Sequence, residues 1–189
     1  MRELLARILV VLWPLIPLFW IPLRLKPSFF RRLGLFIYPL VGMVWLAIAL
    51  GLWRLWPQID KLYPVPLGLS YLGWLALIVG IILQVWTIQT LGLRILGLPE
   101  IVPRIKKGLV TDGPFRICRH PTYLAHSFIF FGGALATQYL ALLIVAFLDL
   151  IAVQTIIIPA EEGELRKRFG PEFDSYRQKT PRFLPRLWS

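Results

Sequence analysis

Two polar segments carry the residue types that could perform chemistry in this chain. Residues 119–123 read Arg-His-Pro-Thr-Tyr, combining a guanidinium, which binds carboxylates, with an imidazole, which exchanges protons near neutral pH. Residues 161–164 read Glu-Glu-Gly-Glu. The two segments flank one long apolar stretch. A chain that reverses within that stretch would bring a cationic cluster against a carboxylate cluster.

The apolar stretch 122–160 predicts how the two segments come together. As one helix it would run about 58 Å at 1.5 Å per residue, which is too long for a single membrane crossing even with strong tilt. A break near Thr137-Gln138 gives two helices, 122–137 and 139–160. We therefore expect a helical hairpin whose two cytoplasmic ends meet.

The residues at those ends have local signals of their own. Pro121 suits the first turn of a helix, which places Arg119 and His120 at the mouth of the first hairpin helix. Glu161 and Glu162 are expected to leave the second hairpin helix at its C-terminus. Each acidic side chain there is unfavourable by about 0.3–1 kcal/mol because of the helix dipole, so another role is indicated. The alternatives are membrane anchoring for the arginines and solvation of a helix end for the glutamates.

Three further apolar stretches predict the rest of the architecture. Residues 33–53 and 67–93 contain no charge, and each exceeds the roughly 20 residues that a helix needs to cross a bilayer. Residues 8–23 are shorter and contain three prolines, which predicts a kinked first span. The sequence thus predicts a single all-α integral membrane domain over residues 1–189. It has five transmembrane helices, the last two forming the hairpin, and a cytoplasmic C-terminal tail with short helices.

The charge distribution gives this topology an orientation. The chain has 21 Lys and Arg, a net charge of +11 and 57% hydrophobic residues, which excludes a disordered chain. Five spans put 17 of the 21 basic residues on one side, which the positive-inside rule assigns to the cytoplasm. The N-terminus is then outside, and the polar segments 100–123 and 161–186 are cytoplasmic. We expect the cytoplasmic membrane as location, with anionic lipid headgroups and no nucleic acid as partners.

Two ionisable residues lie inside the predicted hairpin. His126 either lines a cytoplasm-facing pocket or hydrogen bonds to a neighbouring helix. Asp149 is expected to be a buried, hydrogen-bonded packing residue. Small residues at Gly80 and Gly132 predict close helix packing. Nothing in the spans indicates a proton relay, a metal site or an obligate protein partner.

The polar segments together resemble the isoprenylcysteine carboxyl methyltransferase family, whose wider group includes phospholipid N-methyltransferases. The similarity covers roughly residues 100–186 and lies in two paired motifs. These are Arg119-His120-Pro121-Thr122-Tyr123 and, after the apolar stretch, Glu161, Glu162, Leu165, Phe169, Gly170, Phe173, Tyr176 and 180–185 (Thr-Pro-Arg-Phe-Leu-Pro).

The resemblance implies S-adenosyl-L-methionine as cofactor, bound on the cytoplasmic side, and methyl transfer to a lipid or lipid-linked acceptor. It implies a carboxylate for the cofactor's ammonium and aromatic faces for its adenine or sulfonium. The cofactor contacts it carries onto this sequence are Glu100, Lys107, Gly108, Leu109, Val110, Phe115, His120, Pro121, Thr122, Tyr123 and Glu161.

The resemblance also implies a catalytic group and a substrate group. Arg119, His120 and Glu162 are the implied catalytic residues, Arg119 binding the cofactor carboxylate or orienting the acceptor. A carboxylate acceptor needs no base, whereas a thiol, phenol or amine would be deprotonated by His120 or His126. His126 and Arg182 are the implied substrate contacts. The acceptor, entering sideways from the bilayer, could be a prenylcysteine carboxylate, a phospholipid amine or another small lipid.

Two positions depart from the family pattern. Ile157 stands where the eukaryotic enzymes carry an arginine assigned to the substrate carboxyl, and Phe115 replaces a tyrosine. The alternatives to the methyltransferase are an NADPH-dependent sterol or lipid reductase of similar membrane fold and a non-catalytic membrane scaffold. Titration with each cofactor separates the two enzymes, and a scaffold would not need the charged motif residues, which are all present.

Overall fold

A computed structural model describes residues 1–97, 101 and 108–183 of the chain. Every regular element in these residues is helical. The α-helices are α1 (Arg2–Leu12), α2 (Leu15–Leu25), α3 (Pro27–Leu33), α4 (Ile37–Ile59), α5 (Leu67–Leu91), α6 (Pro121–Thr137), α7 (Leu140–Ala152), α8 (Ile158–Phe169) and α9 (Pro171–Lys179). Short 3₁₀ turns follow α3 and α5 and precede α6.

The first apolar stretch is broken where its first proline lies. Helix α1 ends at Leu12 and α2 begins at Leu15, so the break falls at Trp13 and Pro14. Proline removes a backbone donor and clashes with the preceding turn, which explains the break. The helical stretch also extends further toward the N-terminus than residue 8, because α1 begins at Arg2.

The long apolar stretch breaks where the sequence predicts. Gln138 adopts a left-handed conformation with φ of 67° between α6 and α7. The ring centroids of Phe131 and Phe147 lie 5.1 Å apart, so the two helices pack against each other.

The expectation that the helix of the last span ends near residue 160 was wrong. Helix α7 passes through a π-helical turn, Val153–Ile157, directly into α8, which ends at Phe169. Glu161 and Glu162 therefore lie within a continuous helix and not at its C-terminus. The real stop signal is Gly170, whose φ of +49° suits glycine, followed by Pro171 at the start of α9.

Small residues bring α5 and α6 into close contact, as predicted. A Cβ at Gly132 would lie 2.5 Å from the backbone nitrogen of Leu77, and a Cβ at Gly80 would lie 2.9 Å from the carbonyl of Ala125. No larger side chain fits at either position without moving a helix. This contact fixes α6, whose first residues carry the arginine–histidine motif, against the long helix α5.

Four helical stretches are long and apolar enough to cross a membrane: Arg2–Leu25, Pro27–Ile59, Leu67–Leu96 and Leu140–Phe169. Helix α6 has 17 residues, the short end of the range for a crossing helix. Large apolar side chains such as Leu72, Ile78 and Ile82 cover the outer face of α5 and are exposed. Such a surface is stable against hydrocarbon and not against water.

Candidate functional site

A carboxylate at the start of α8 organises the polar centre of the molecule. Glu162 Oε1 accepts hydrogen bonds from Arg119 Nη2 at 2.9 Å and Nε at 3.2 Å, and it lies 3.1 Å from His120 Nε2. Arg182 and Arg177 approach its other oxygen at 3.6 and 3.9 Å. The Glu162 side chain is only 9% exposed. We call these five residues the Glu162 network.

The same network attaches the C-terminal tail to the mouth of α6. Arg119 Nη1 donates to the carbonyl of Arg177 at 3.1 Å and to that of Thr180. The backbone N–H of Arg119 donates to the carbonyl of Pro181 at 2.9 Å. The Arg119 guanidinium thus binds protein groups on α8 and on the tail and holds the two together.

The neighbouring carboxylate, Glu161, shares one partner with Glu162, because its Oε2 lies 3.9 Å from His120 Nδ1, and its other partners are its own. Its Oε1 lies 3.2 Å from Arg24 Nη2, and its Oε2 accepts a hydrogen bond from the Tyr123 hydroxyl at 2.8 Å. Arg24 also pairs with Glu164 at 2.7 Å, and its side chain is 6% exposed. Helices α2, α6 and α8 therefore meet at Glu161. The side chain keeps partial access to an adjoining cavity.

This first cavity occupies about 930 Å³, including the part open to solvent. Nine of the eleven predicted cofactor residues line it: Gly108, Leu109, Val110, Phe115, His120, Pro121, Thr122, Tyr123 and Glu161. The other two, Glu100 and Lys107, lie outside the described residues. The structure gathers the predicted set in one place, and its binding role stays a prediction.

Several residues of the cavity wall were not predicted from the sequence. Arg24 and Arg94 counted only among the basic residues that orient the chain, and Trp20 was not predicted as a site residue. All three line the cavity, together with Tyr176. The sequence contains a weak signal for Trp20 and Arg24. They are four residues apart and share one face of α2, and Arg24 directly follows an apolar run.

The remaining predicted residues occupy other places. Glu162 lies behind His120 and is not part of the described cavity wall, and Arg182 belongs to the Glu162 network. His126 faces a second cavity. Ile157 is fully buried in an apolar cluster around Tyr123, so the position of the family's arginine contributes no charge here.

The ionisable residue Asp149 is buried and accepts a hydrogen bond from Trp13 Nε1 at 3.1 Å. This confirms the prediction of a hydrogen-bonded packing residue. The bond ties α7 to the break between α1 and α2.

Two titratable groups beside the Glu162 network are held neutral. Burial raises the pKa of the Cys118 thiol to about 11. Burial, with the nearby Cys118, also raises the pKa of Tyr176, whose hydroxyl donates to the carbonyl of Phe115 at 2.7 Å. Neither group supplies a nucleophile at neutral pH. In the described part of the chain, no three His, Cys, Asp or Glu side chains form a metal site.

Comparison with known proteins points to one family. Residues 69–172 match the family model of phospholipid methyltransferases. Two probable protein-S-isoprenylcysteine O-methyltransferases, from Oryza sativa subsp. indica and subsp. japonica, are each 32% identical over 135 residues, which are 69% of this chain and 66% of theirs. No solved structure matches.

Two bacterial proteins are similar over a shorter stretch of 79 residues. They are the nickel-cobalt-cadmium resistance protein NccN of Alcaligenes xylosoxydans xylosoxydans, at 37% identity, and the cobalt-zinc-cadmium resistance protein CzcN of Cupriavidus metallidurans, at 38%. The match covers 42% of this chain and only 37% and 36% of the lengths of these two relatives.

The family model spans more than half of the chain, and the matched region contains α5 through α8, the helices that carry the arginine–histidine motif and both glutamates. The exposed apolar helices are those of a protein embedded in a bilayer. The chain therefore belongs to the phospholipid methyltransferase family, related to the isoprenylcysteine carboxyl methyltransferases, and is an integral membrane protein.

Proposed function

We propose that this protein is an S-adenosyl-L-methionine-dependent methyltransferase that modifies a lipophilic acceptor at the cytoplasmic face of the membrane. One observation carries the proposal. Nine residues that the family resemblance assigns to the cofactor line a single cavity, although they come from segments separated by up to 53 positions, Gly108 to Glu161. Eight of them lie within residues 108–123, and the fold brings Glu161 to the same cavity from the far end of the hairpin.

The chemistry of the cavity wall fits this cofactor. Glu161 offers a carboxylate to an ammonium group, and Arg94 offers a guanidinium to a carboxylate. Phe115 and Tyr176 offer aromatic surfaces for an adenine or a sulfonium. The wall also contains the apolar side chains of Leu109 and other residues, as cofactor sites generally do.

The protein's own contribution is positioning. S-adenosyl-L-methionine supplies a methyl group already activated on a sulfonium, so transfer depends on alignment more than on acid–base groups. Glu162 and Arg119 hold His120 against the cavity and fasten the tail beside it. Arg24 and Tyr123 fix the carboxylate of Glu161 in one orientation. Both carboxylates are thereby oriented before a ligand arrives.

The membrane arrangement completes the proposal. With α6 as a fifth crossing and α6–α7 as a hairpin, the N-terminus lies outside, and the arginine–histidine motif and the tail lie in the cytoplasm. Such an arrangement agrees with the 17 of 21 basic residues on that side. A water-soluble cofactor then enters from the cytoplasm while the lipid acceptor arrives from the bilayer.

Isothermal titration of the detergent-purified protein tests the cofactor. We expect saturable binding of S-adenosylmethionine and of its demethylated product, and none of NADPH. Binding of NADPH alone would replace the proposal by the reductase alternative. Transfer of a labelled methyl group from the cofactor into a membrane lipid extract, with the product identified by mass, then tests the activity.

A matched pair of variants tests the site. Glu161→Gln removes the charge that faces the cavity, and Glu172→Gln removes an equal charge at an exposed position on α9, away from the described cavity wall. A charged hydrogen bond contributes about 1.5–3 kcal/mol, so Glu161→Gln should weaken cofactor binding about 10- to 100-fold. Equal affinities in the two variants would remove Glu161 from the site.

A further inference from the structure

A second cavity adjoins the first between α2, α4, α5 and α6. It occupies about 810 Å³, including its open part, and it shares Trp20, Ile95 and Thr122 with the first cavity. Thr122 lies four residues before His126 on the same face of α6, so one helix face runs from the first cavity into the second. The two cavities therefore adjoin along this face of α6.

The wall of the second cavity is apolar and uncharged. Side chains such as Ile16, Phe19 and Val41 line it, and none of its described residues is Asp, Glu, Lys or Arg. An anionic headgroup there would lack a counter-charge from these residues, and burying an unpaired charge is strongly unfavourable. The wall suits an uncharged amphiphile.

Two of the polar groups in this wall have an atom without a hydrogen-bond partner. Gln84 Oε1 and His126 Nδ1 are buried and unpaired, and both residues line the second cavity. Buried polar atoms are nearly always paired, so these two atoms mark where a ligand could bind. The amide oxygen of Gln84 can only accept a hydrogen bond, so a ligand that pairs with it carries an O–H or N–H donor.

We propose that the second cavity is the acceptor compartment, and that it takes an uncharged amphiphile whose polar end donates a hydrogen bond to Gln84 or His126. This inference rests on the proposed methyltransferase function. A carboxylate or a phosphodiester offers acceptors only and adds a negative charge, so neither fits this wall. Isoprenoid and fatty alcohols have the required chemistry.

The reaction with such an acceptor balances with the groups that the cavity supplies. The acceptor oxygen or nitrogen forms a bond to the methyl carbon, the carbon–sulfur bond breaks, and its electron pair stays on sulfur. The proton of the acceptor's O–H or N–H passes to His126 Nδ1, which later releases it to solvent. The positive charge of the sulfonium thus leaves as a proton.

The acceptor site is tested first without any methyl donor. A diazirine derivative of geraniol is photo-crosslinked to the protein in lipid nanodiscs, and the labelled peptides are mapped by mass spectrometry. We expect labelling of the wall at Val41, Gln84 and His126 that geraniol suppresses and geranic acid does not. Labelling confined to the outer apolar faces, or equal competition by both compounds, would overturn the proposal whatever the cofactor result.

Turnover then tests the two polar atoms. With labelled S-adenosylmethionine, geraniol should be methylated, and geranic acid and phosphatidylethanolamine vesicles should not. Gln84→Leu and His126→Phe should each lower kcat/KM about tenfold without changing cofactor affinity, a loss equal to about 1.4 kcal/mol. Gln89→Leu, on the exposed face of the same helix α5, should behave as wild type.

The outcomes separate the two proposals. Preferred methylation of geranic acid or the vesicles, or full activity in both cavity variants, would overturn the acceptor site while leaving the methyltransferase intact. If none of these compounds is methylated while the cofactor still binds, the acceptor site is also overturned and the methyltransferase proposal is not. Loss of cofactor binding in the wild-type protein would instead remove the proposed function.

Discussion

Replacing Glu162 by glutamine should open the C-terminal tail. The carboxylate receives three hydrogen bonds, two from Arg119 and one from His120, at 2.9, 3.2 and 3.1 Å. Glutamine keeps the shape and one acceptor but removes the charge that strengthens each bond. Arg177 and Arg182 add little, because their side chains are 47% and 41% exposed and screened by water.

The magnitude follows from these bonds. Charge-assisted hydrogen bonds contribute about 1.5–3 kcal/mol and neutral ones about 0.5–1.5, so three bonds losing about 1 kcal/mol each give about 3 kcal/mol. Because Arg119 connects Glu162 to the carbonyls of Arg177 and Thr180, the loss falls mainly on tail docking. A loss of 3 kcal/mol raises the open population about 100-fold.

Hydrogen exchange reports this opening directly. The backbone amides of Arg119 and His120 donate to the carbonyls of Pro181 and Arg182, at 2.9 and 3.3 Å, and exchange only when the tail leaves. We expect their exchange in Glu162→Gln to accelerate about 100-fold.

The exposed Glu172 provides the control for this experiment. Glu172→Gln changes the net charge equally, so its exchange at the two amides should equal that of the wild type. Unchanged exchange in Glu162→Gln would refute the assignment of Glu162 as the group that holds the tail.

Three further predictions concern packing and the thiol. Gly132→Ala places a Cβ 2.5 Å from the backbone of the facing helix and should lower the free energy of unfolding by about 1–3 kcal/mol, measured by thermal denaturation. Gly51 has open space around it, so Gly51→Ala should leave the stability unchanged. Equal melting temperatures for the two variants would contradict the close contact. Trp13→Phe removes the donor to buried Asp149 and should cost about 1–3 kcal/mol in chemical denaturation, and no loss would mean that water replaces the bond. The maleimide labelling rate of Cys118 should keep rising to about pH 11, because the thiolate forms only above its raised pKa; levelling near the ordinary value of about 8.5 would show an exposed thiol.

Short-range signals made much of this architecture predictable. Pro121 at the start of α6 and the left-handed Gln138 at its end follow from local backbone chemistry. The cofactor residues converge because most of them lie within sixteen positions, Gly108 to Tyr123, and because a return of the chain brings Glu161 back to them. The family resemblance indicated which residues to expect at the cofactor site. The predicted chain reversal indicated where they would meet.

Long-range docking was not predictable from the same patterns. Arg24 pairs with Glu161 across 137 positions, and no local rule fixes the angle at which α2 crosses α8. The continuation of α8 past both glutamates to Gly170 was not predicted for a different reason. The apolar stretch ends near residue 160, and the end of an apolar stretch marks the membrane boundary without marking the end of a helix. The Gly170-Pro171 pair carried the correct signal.

The basic residues divide into two populations that composition alone cannot separate. Arg24 and Arg119 are 6% and 8% exposed and are held by Glu161 and Glu162, so neither reaches a lipid headgroup. Arg116, at 77% exposure, can do so. Orientation in the membrane depends on every cytoplasmic charge, because each must cross if the chain inverts. The electrostatics of the site depend only on the buried arginines, since water screens the rest. The number of basic residues on each side therefore predicts the topology and can be counted from the sequence, whereas the burial of an individual arginine, which decides its role in the candidate site, is seen only in the structure.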